Sequence, residues 1–318
     1  MKRRVRVLLT SAGTATAINV IRALRSSTRF DAHIVAVDQD PLAAGLYLAD
    51  ARDTVPSAKA PDYIERIAAV CRAHEVDFVF PLHSTEIPIF AEQRVALAEC
   101  GIGVCVPDAA VARLCNEKDL FLAFLAKAGF AFPRTFARAD EVADFPVFVK
   151  PRKGSSSSGT MKVLDRTALA ERVRAGDDIV IQEFVDWPEL TVDCFVERNG
   201  TLVGCVPRYR RRVKDGKSMV AETADAPDVV DAVERLLAAI GMRGPCNVQL
   251  FRRERGEIRF VEINPRLAAG GLPLATHVGT NIPELMLREF HGESLSERIP
   301  FAPGVVMIRY LTELFPGA

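Results

Sequence analysis

The run Glu262-Ile263-Asn264-Pro265-Arg266 concentrates residue types that could do chemistry. It sets a carboxylate and an amide oxygen two positions apart, with a guanidinium beside them. Such an oxygen set suits a hard divalent cation, and the adjacent positive charge suits the phosphates that travel with one. The run reads as a strand end. Alternation predicts Ile258, Phe260, Glu262 and Asn264 on one face, and Pro265, which has no N–H, ends the ladder. Cys246 to Phe251 predicts a second strand. A hairpin about Arg255-Gly256, with room for a bulged turn, then sets Gln249 opposite Glu262 and Asn247 opposite Asn264. A net slip of one residue would move one set to the other face, so a polar, solvent-facing hairpin is the alternative.

Two other stretches bear on charged ligands. Phe145 to Pro151 reads as a strand with Lys150 at its end, followed by Arg152-Lys153-Gly154, the run Ser155-Ser156-Ser157-Ser158-Gly159, and a strand from Met161 to Leu164. A Gly- and Ser-rich tip offers N–H and hydroxyl donors without bulk, which suits phosphate oxygens; Lys150 and Lys153 supply the charge. It is not a P-loop, because no Lys-Ser/Thr follows the second glycine and no helix begins there. Taken alone, the stretch reads equally well as a floppy hairpin tip. Arg208, Arg210, Arg211, Arg212, Lys214 and Lys217 surround Asp215-Gly216, either as a solvated hairpin or as a clamp on an anionic substrate.

The elements that must position these residues alternate at first between strands and helices: Val5–Leu9, Ala15–Leu24, Ile34–Val37, Tyr63–His74, Phe78–Phe80. This pattern predicts a Rossmann-like parallel sheet covered by helices. The first turn, Ser11-Ala12-Gly13-Thr14, lacks the glycines of a dinucleotide fingerprint, which argues against a nicotinamide dehydrogenase. Ser11, Thr14, Asp38 and the His83-Ser84-Thr85-Glu86 turn are candidates for holding an acceptor substrate, though each taken singly reads more readily as an ordinary cap or turn. Helices are expected after Asp108 and from Asn116 to about Gly129, then strands over Ile179–Val185 and Leu190–Glu197. A helix follows over Asp228–Ile240. A Gly-rich loop, Leu267–Thr280, leads into a helix over Ile282–Phe290, and Pro303–Thr312 reads as a last strand.

The 318 residues carry 41 basic and 41 acidic side chains, so nothing in the charge favours a nucleic acid or a membrane surface as partner. No apolar run has the length of a membrane span, and the N-terminus has no signal-peptide pattern. The seven cysteines are scattered without C-x-x-C and read as the reduced, mostly buried thiols of a cytoplasmic protein.

In this order, the Lys118 region, Phe-Val-Lys-Pro (148–151) with its Gly/Ser loop, Gln-Glu-Phe-Val (182–185) with Glu189, Asn-Val-Gln (247–249) and Glu-Ile-Asn-Pro-Arg (262–266) resemble the ATP-grasp superfamily, in its carbamoyl-phosphate-synthase-like branch. The resemblance covers nearly the whole chain. It implies an α/β and α+β architecture: a Rossmann-like domain over residues 1–108, then a two-lobed fold with lobes over 109–182 and 183–318. It also implies roles. Lys118 and Lys150 would contact the phosphates of ATP, and Ser155, Ser156, Ser157, Ser158 and Gly159 would fold over them. Gln182, Glu183, Phe184 and Val185 would form the hinge that meets adenine, and Glu189 would accept from the ribose hydroxyls. Gln249, Glu262 and Asn264 would surround one or two Mg²⁺ (or Mn²⁺) ions, Glu262 bridging and Gln249 the weakest ligand. Arg266, with Lys150, would stabilise the transferred phosphoryl group. The family often has Gly between hinge and ribose acid, where this chain has Trp187-Pro188.

The implied reaction joins a small carboxylate to an amine or similar nucleophile through an acyl phosphate. Arg208, Arg211 and His277 are open candidates for orienting the acceptor. Bicarbonate chemistry of the carbamoyl-phosphate-synthase or carboxylase type is an alternative; the chain is expected to be too short for two synthetase halves and shows no biotin-carrier segment. A non-catalytic nucleotide-binding regulator is another. A homodimer stays open as the assembly.

Overall fold

The computed structural model describes residues 1–152, 159–174, 178–214, 216–253 and 256–316. Lys153 and the candidate phosphate-loop residues Ser155, Ser156, Ser157 and Ser158 lie outside the described residues.

The first elements are β1 (Arg3–Leu9), α1 (Ala15–Arg25), β2 (Phe30–Asp38), β3 (Ala51–Thr54), α2 (Tyr63–Ala73), β4 (Phe78–Phe80), α3 (Glu86–Glu99) and β5 (Gly103–Val104). Their strands form a parallel sheet in the order β3-β2-β1-β4-β5. Apolar runs such as Val5, Val7, Leu8 and Leu9 are buried because helices cover both faces. The sequence did not signal β3 or α3; the Ala51–Thr54 strand is polar and edge-placed, and α3 lacks a sided apolar stripe.

Next come α4 (Ala109–Asn116), α5 (Lys118–Ala128), β6 (Thr135–Phe136), β7 (Val147–Pro151), β8 (Met161–Val163), α6 (Arg166–Arg174) and β9 (Ile179–Glu183). α5 ends at Gly129 in the left-handed conformation, φ 75°, where glycine carries no steric penalty. An antiparallel sheet runs β6-β9-β7-β8. α4 and α5 turn away from it: Cys115, Phe121 and Leu125 share a core with the third sheet.

That sheet comprises β10 (Glu189–Val196), β11 (Leu202–Lys214), β12 (Lys217–Thr223), β13 (Gly244–Arg252), β14 (Ile258–Asn264) and β15 (Val306–Ile308), in the order β14-β13-β10-β11-β12-β15. Helix α7 (Pro227–Ile240) covers one face through Val229, Val233, Leu236 and Leu237. The Gly-rich stretch contains a short helix, α8 (Leu272–His277), and α9 (Ile282–Phe290) follows. The last strand is shorter than its apolar pattern suggests. Among the described residues no helix is long and apolar enough to cross a membrane, and all seven cysteines are free, five of them buried.

The β13–β14 hairpin has the expected pairs, Gln249 with Glu262 and Asn247 with Asn264. A register shift between Gln249 and Leu250 then pairs Leu250 with Phe260. The bulge overturns the simple alternation. Phe260 and Ile263 enter the core and Ile258 packs against it, while Glu262 and Asn264 face the opposite side. One extra residue thus sends the carboxylate and the phenyl ring to different faces of one strand.

A second core joins the first sheet to the third. Val5, Val7, Phe78 and Phe80 pack in one cluster with Phe195, Val203, Leu267, Leu272, Ile282 and Leu285. Phe195 is fully buried there. Phe195→Ala is expected to cost about 3–5 kcal/mol and to lower the melting of both sheets together. Two separated calorimetric transitions in the variant would contradict a shared core.

Candidate functional site

Bulge, hinge and inter-sheet loops meet around a cleft of about 700 Å³. Lys118, Lys150, Gln182, Glu183, Phe184, Val185, Glu189, Gln249, Glu262, Asn264 and Arg266 all line it. Gly159 does not; it turns over Pro151 at φ 72°, and the neighbouring Thr160 lines the cleft instead.

Each residue is aimed by a different element. Lys118 opens α5 and donates to the Pro151 carbonyl at 2.8 Å, tying that helix to β7. Lys150 projects from β7 and is 6% exposed. Burial lowers its pKa to about 8, helped by the Lys118 charge and opposed by Glu262. Burial also lowers Lys118 and Arg266, and in each case Glu262 pulls the other way. Glu262 is therefore the shared counter-charge of three cations drawn from three separate elements.

Arg266 follows the proline that ends β14. Its Nε donates to Ser84 Oγ at 2.7 Å and Nη1 to the Leu267 carbonyl at 3.1 Å. Asn247 fixes the strand end: its Nδ2 donates to the Arg266 carbonyl at 3.2 Å, and its Oδ1 accepts from Asn264 Nδ2 at 3.2 Å. Asn264 Nδ2 also donates to Glu262 Oε1 at 3.0 Å. With its NH₂ group so engaged, Asn264 keeps its amide oxygen for an incoming cation.

The donor set fits a hard divalent ion. Glu262 and Asn264 offer oxygens side by side, whereas Gln249 Oε1 already accepts from Arg210 Nη1 at 3.2 Å. Gln249 therefore has one oxygen lone pair already engaged within the protein. Among the described residues no cluster of three His, Cys, Asp or Glu could hold a metal alone. A cation here needs oxygens from elsewhere, as one carried in by phosphates would have.

At the other end, Glu189 is the first residue of β10 and pairs with Arg210, itself on β11. Burial raises the Glu189 pKa, and Arg210 opposes the rise. Arg259 pairs with Glu183, and its guanidinium lies 4.5 Å from the centre of the Trp187 ring. That stacking, with Arg253 also over the ring, braces the Trp187-Pro188 turn that replaces the expected glycine. Gln182 turns its side-chain Nε2 to Thr135 Oγ1 at 3.0 Å, while Phe184 and Val185 lie beyond the β9 ladder, their peptide groups outside the sheet.

The first-sheet candidates divide. Ser84 and Thr85 line the cleft. Glu86 is a structural clasp, accepting from Thr10 Oγ1, Ser11 Oγ and the Tyr63 hydroxyl at 2.7, 2.9 and 2.6 Å. Thr14 caps α1. Asp38 accepts the Gly13 N–H at 2.7 Å, engaging a backbone donor of the first turn. Sequence reasoning set Asn247 opposite Asn264 and counted Arg210 in a basic cluster, without a separate role for either. The place of Arg210 beside Glu189 becomes visible only once β10–β11 pairing is known.

Comparison with known proteins decides the family. Residues 176–314 match the family model described as ATP-grasp in the biosynthetic pathway with Ter operon, and residues 7–105 match the PylC-like N-terminal domain. A putative D-alanine–D-lactate ligase of Streptomyces coelicolor is 30% identical over 247 residues, covering 64% of this chain and 70% of that protein. The chain belongs to the ATP-grasp family of ligases.

Carbamoyl phosphate synthase large chain from Micrococcus luteus is 26% identical over 74% of this ATP-grasp chain, but only 23% of that protein is spanned. N5-carboxyaminoimidazole synthetase from Staphylococcus aureus, solved with ADP, superposes with TM-score 0.76 at 14% identity, over 98% of this chain and 83% of that one. That likeness is one of fold.

Buried Lys150 makes the free protein's stability depend on pH. Its folded pKa lies below the unfolded value, so its charge costs stability in full below about pH 8. The cost fades as pH rises from about 8 toward 10.5. Lys150→Met is expected to stabilise the ligand-free protein by about 1–3 kcal/mol at pH 7, a gain that disappears across that window in denaturant titrations. A pH-independent difference would contradict it.

Proposed function

We propose that this chain is an ATP- and Mg²⁺-dependent ligase that joins a small carboxylate to an amine through an acyl phosphate, releasing ADP and phosphate. One observation carries the reading: Lys118, Lys150 and Arg266 converge on Glu262 and Asn264 within one cleft. We divide the chain as its sequence suggests, with residues 1–108 forming a preceding domain and 109–182 and 183–318 forming the two lobes around the cleft.

In this reading Phe184 and Val185 meet adenine, with Gln182 and Glu183 behind them, and Glu189 meets the ribose. Lys118 and Lys150 hold the phosphates; Ser155 to Gly159 would cover them, a role resting on sequence alone. Glu262 and Asn264, with Gln249 more weakly, would hold the divalent ion, which when bound neutralises phosphate charge. The substrate carboxylate oxygen attacks the γ-phosphorus and ADP leaves. Arg266, locked by Ser84, faces the charge that develops on the transferred group. The amine then adds to the acyl carbon, loses its proton, and expels phosphate. A cleft walled by Phe121, Phe148 and Val185 limits competing attack by water.

The test is ADP and phosphate release from Mg-ATP against a panel of amino acids, dipeptides, small carboxylates and bicarbonate, with mass detection of products. We expect one acid–amine pair to stimulate release and give a product lighter by one water. Glu262→Ala should reduce that turnover by on the order of a hundredfold or more with unchanged circular dichroism. Stimulation by bicarbonate alone would favour the carboxylase-type alternative, and retained turnover in the variant would contradict the assignment of Glu262.

A further inference from the structure

Beyond Arg266 the cleft runs to a wall built by Arg208, Ser218 and Gly270. Arg208 is 3% exposed and Ser218 2%. Arg208 Nε donates to Asp193 Oδ2 at 2.7 Å, Nη2 reaches Asp193 Oδ1 at 3.5 Å, and Nη1 donates to Ser218 Oγ at 3.1 Å. A guanidinium has five N–H donors, so these contacts leave donors on both terminal nitrogens. Those nitrogens lie where the cleft passes Gly270. A Cβ built there would sit 3.7 Å from Arg208 Nη2 and 3.6 Å from Ser218 Oγ. The next residue could not carry a side chain at all, since a Cβ on Gly271 would lie 1.8 Å from Asp193 Oδ2.

The loop turns its donors the same way. The Ala269 carbonyl accepts from Asn19 Nδ2 at 2.9 Å and Arg309 Nη2 at 2.7 Å, and neither donor residue lines the cleft. Peptide planarity sends the following N–H, that of Gly270, to the opposite side. Further cations stand behind this wall. Burial lowers the Arg309 pKa, and the nearby charges of Arg208 and Arg22 lower it further. The acids lining the cleft, Glu183, Glu189 and Glu262, make no hydrogen bond to Arg208 among the described residues.

We propose that Arg208, Ser218 and the Gly270 peptide form an anion subsite for a non-reacting carboxylate, so that one of the two joined molecules is an amino acid or a dicarboxylate. This deepens the ligase reading and rests on it. The structure separates Arg208 from the other acceptor candidates: Arg211 is half exposed and paired with Glu222 at 2.9 Å, and His277 does not line the cleft. Asp193 neutralises the buried guanidinium in the free protein and fixes its plane, leaving the outer N–H groups to recognise two oxygens.

The experiment uses the full chain with Mg-ADP. Ligand-observed saturation-transfer NMR compares the standard amino acids and short dicarboxylates with their carboxamides. We expect at least one free acid to bind about tenfold or more tightly than its carboxamide, the scale of one charge-assisted hydrogen bond. Ser218→Ala, which leaves the Arg208–Asp193 pair intact, should lower that ratio, because one donor of the subsite is lost while the Arg208 charge stays. The acid–amide comparison on the unaltered protein stands even if the variant folds poorly. Equal binding of acid and carboxamide, no binding by any free acid, or an unchanged ratio in folded Ser218→Ala would overturn the subsite. Mg-ADP binding is measured first on the same sample. Its absence would count against the ATP reading, and the panel would then be read on the ligand-free chain.

Discussion

The site depends on one electrostatic arrangement: one carboxylate, Glu262, is shared by Lys118, Lys150 and Arg266, with Asp119 a further counter-charge for Lys118. Burial acts against all three cations, and Glu262 alone cannot offset the whole cost. A buried excess of positive charge is unfavourable in the free protein and becomes favourable when a polyphosphate enters. This is the electrostatic basis of the proposed nucleotide site: the cleft gains from an anion the protein does not itself supply. The same logic explains why Glu262 and Asn264 make an incomplete cation site: the missing oxygens would arrive with the phosphates.

Positioning these groups requires all three sheets. β7 delivers Lys150, α5 delivers Lys118, and β14 delivers Glu262 and Asn264. The first sheet takes part through Ser84, which grips Arg266 across 182 residues of sequence. The shared core of Phe78, Phe80, Phe195 and Leu267 keeps that grip in register. A preceding domain that only covered the cleft would not need so continuous an apolar interface.

Much of this was legible in the sequence, for identifiable reasons. Strongly patterned segments such as Phe78–Phe80, Asp228–Ile240 and Ile282–Phe290 appeared close to where they were expected. The Gln249–Glu262 and Asn247–Asn264 pairs followed from a two-strand count. The bulge beside Gln249 did not, because alternation assumes an unbroken ladder; Phe260 and Glu262 therefore part company. The pairing of Arg210 with Glu189 was hidden for a related reason. Alternation groups Arg210 with Arg208, but only the pairing of β10 with β11 shows that one meets Glu189 and the other Asp193. Asp38 and Glu86 looked like ligand-binding acids from their place after strands, yet their oxygens are consumed by backbone and hydroxyl donors. Sequence shows where an acid sits along the chain, not what has already claimed its lone pairs.

Glu262 and Asn264 are proposed to hold a divalent ion together with ATP phosphates. Electron paramagnetic resonance titration of Mn²⁺ tests it most directly, with and without ATP, on the unaltered protein and on Glu262→Gln. Weak Mn²⁺ binding by the protein alone, strong binding once ATP is present, and a loss of about tenfold or more in the variant are expected. Equal Mn²⁺ affinity in the two proteins with ATP bound would contradict it.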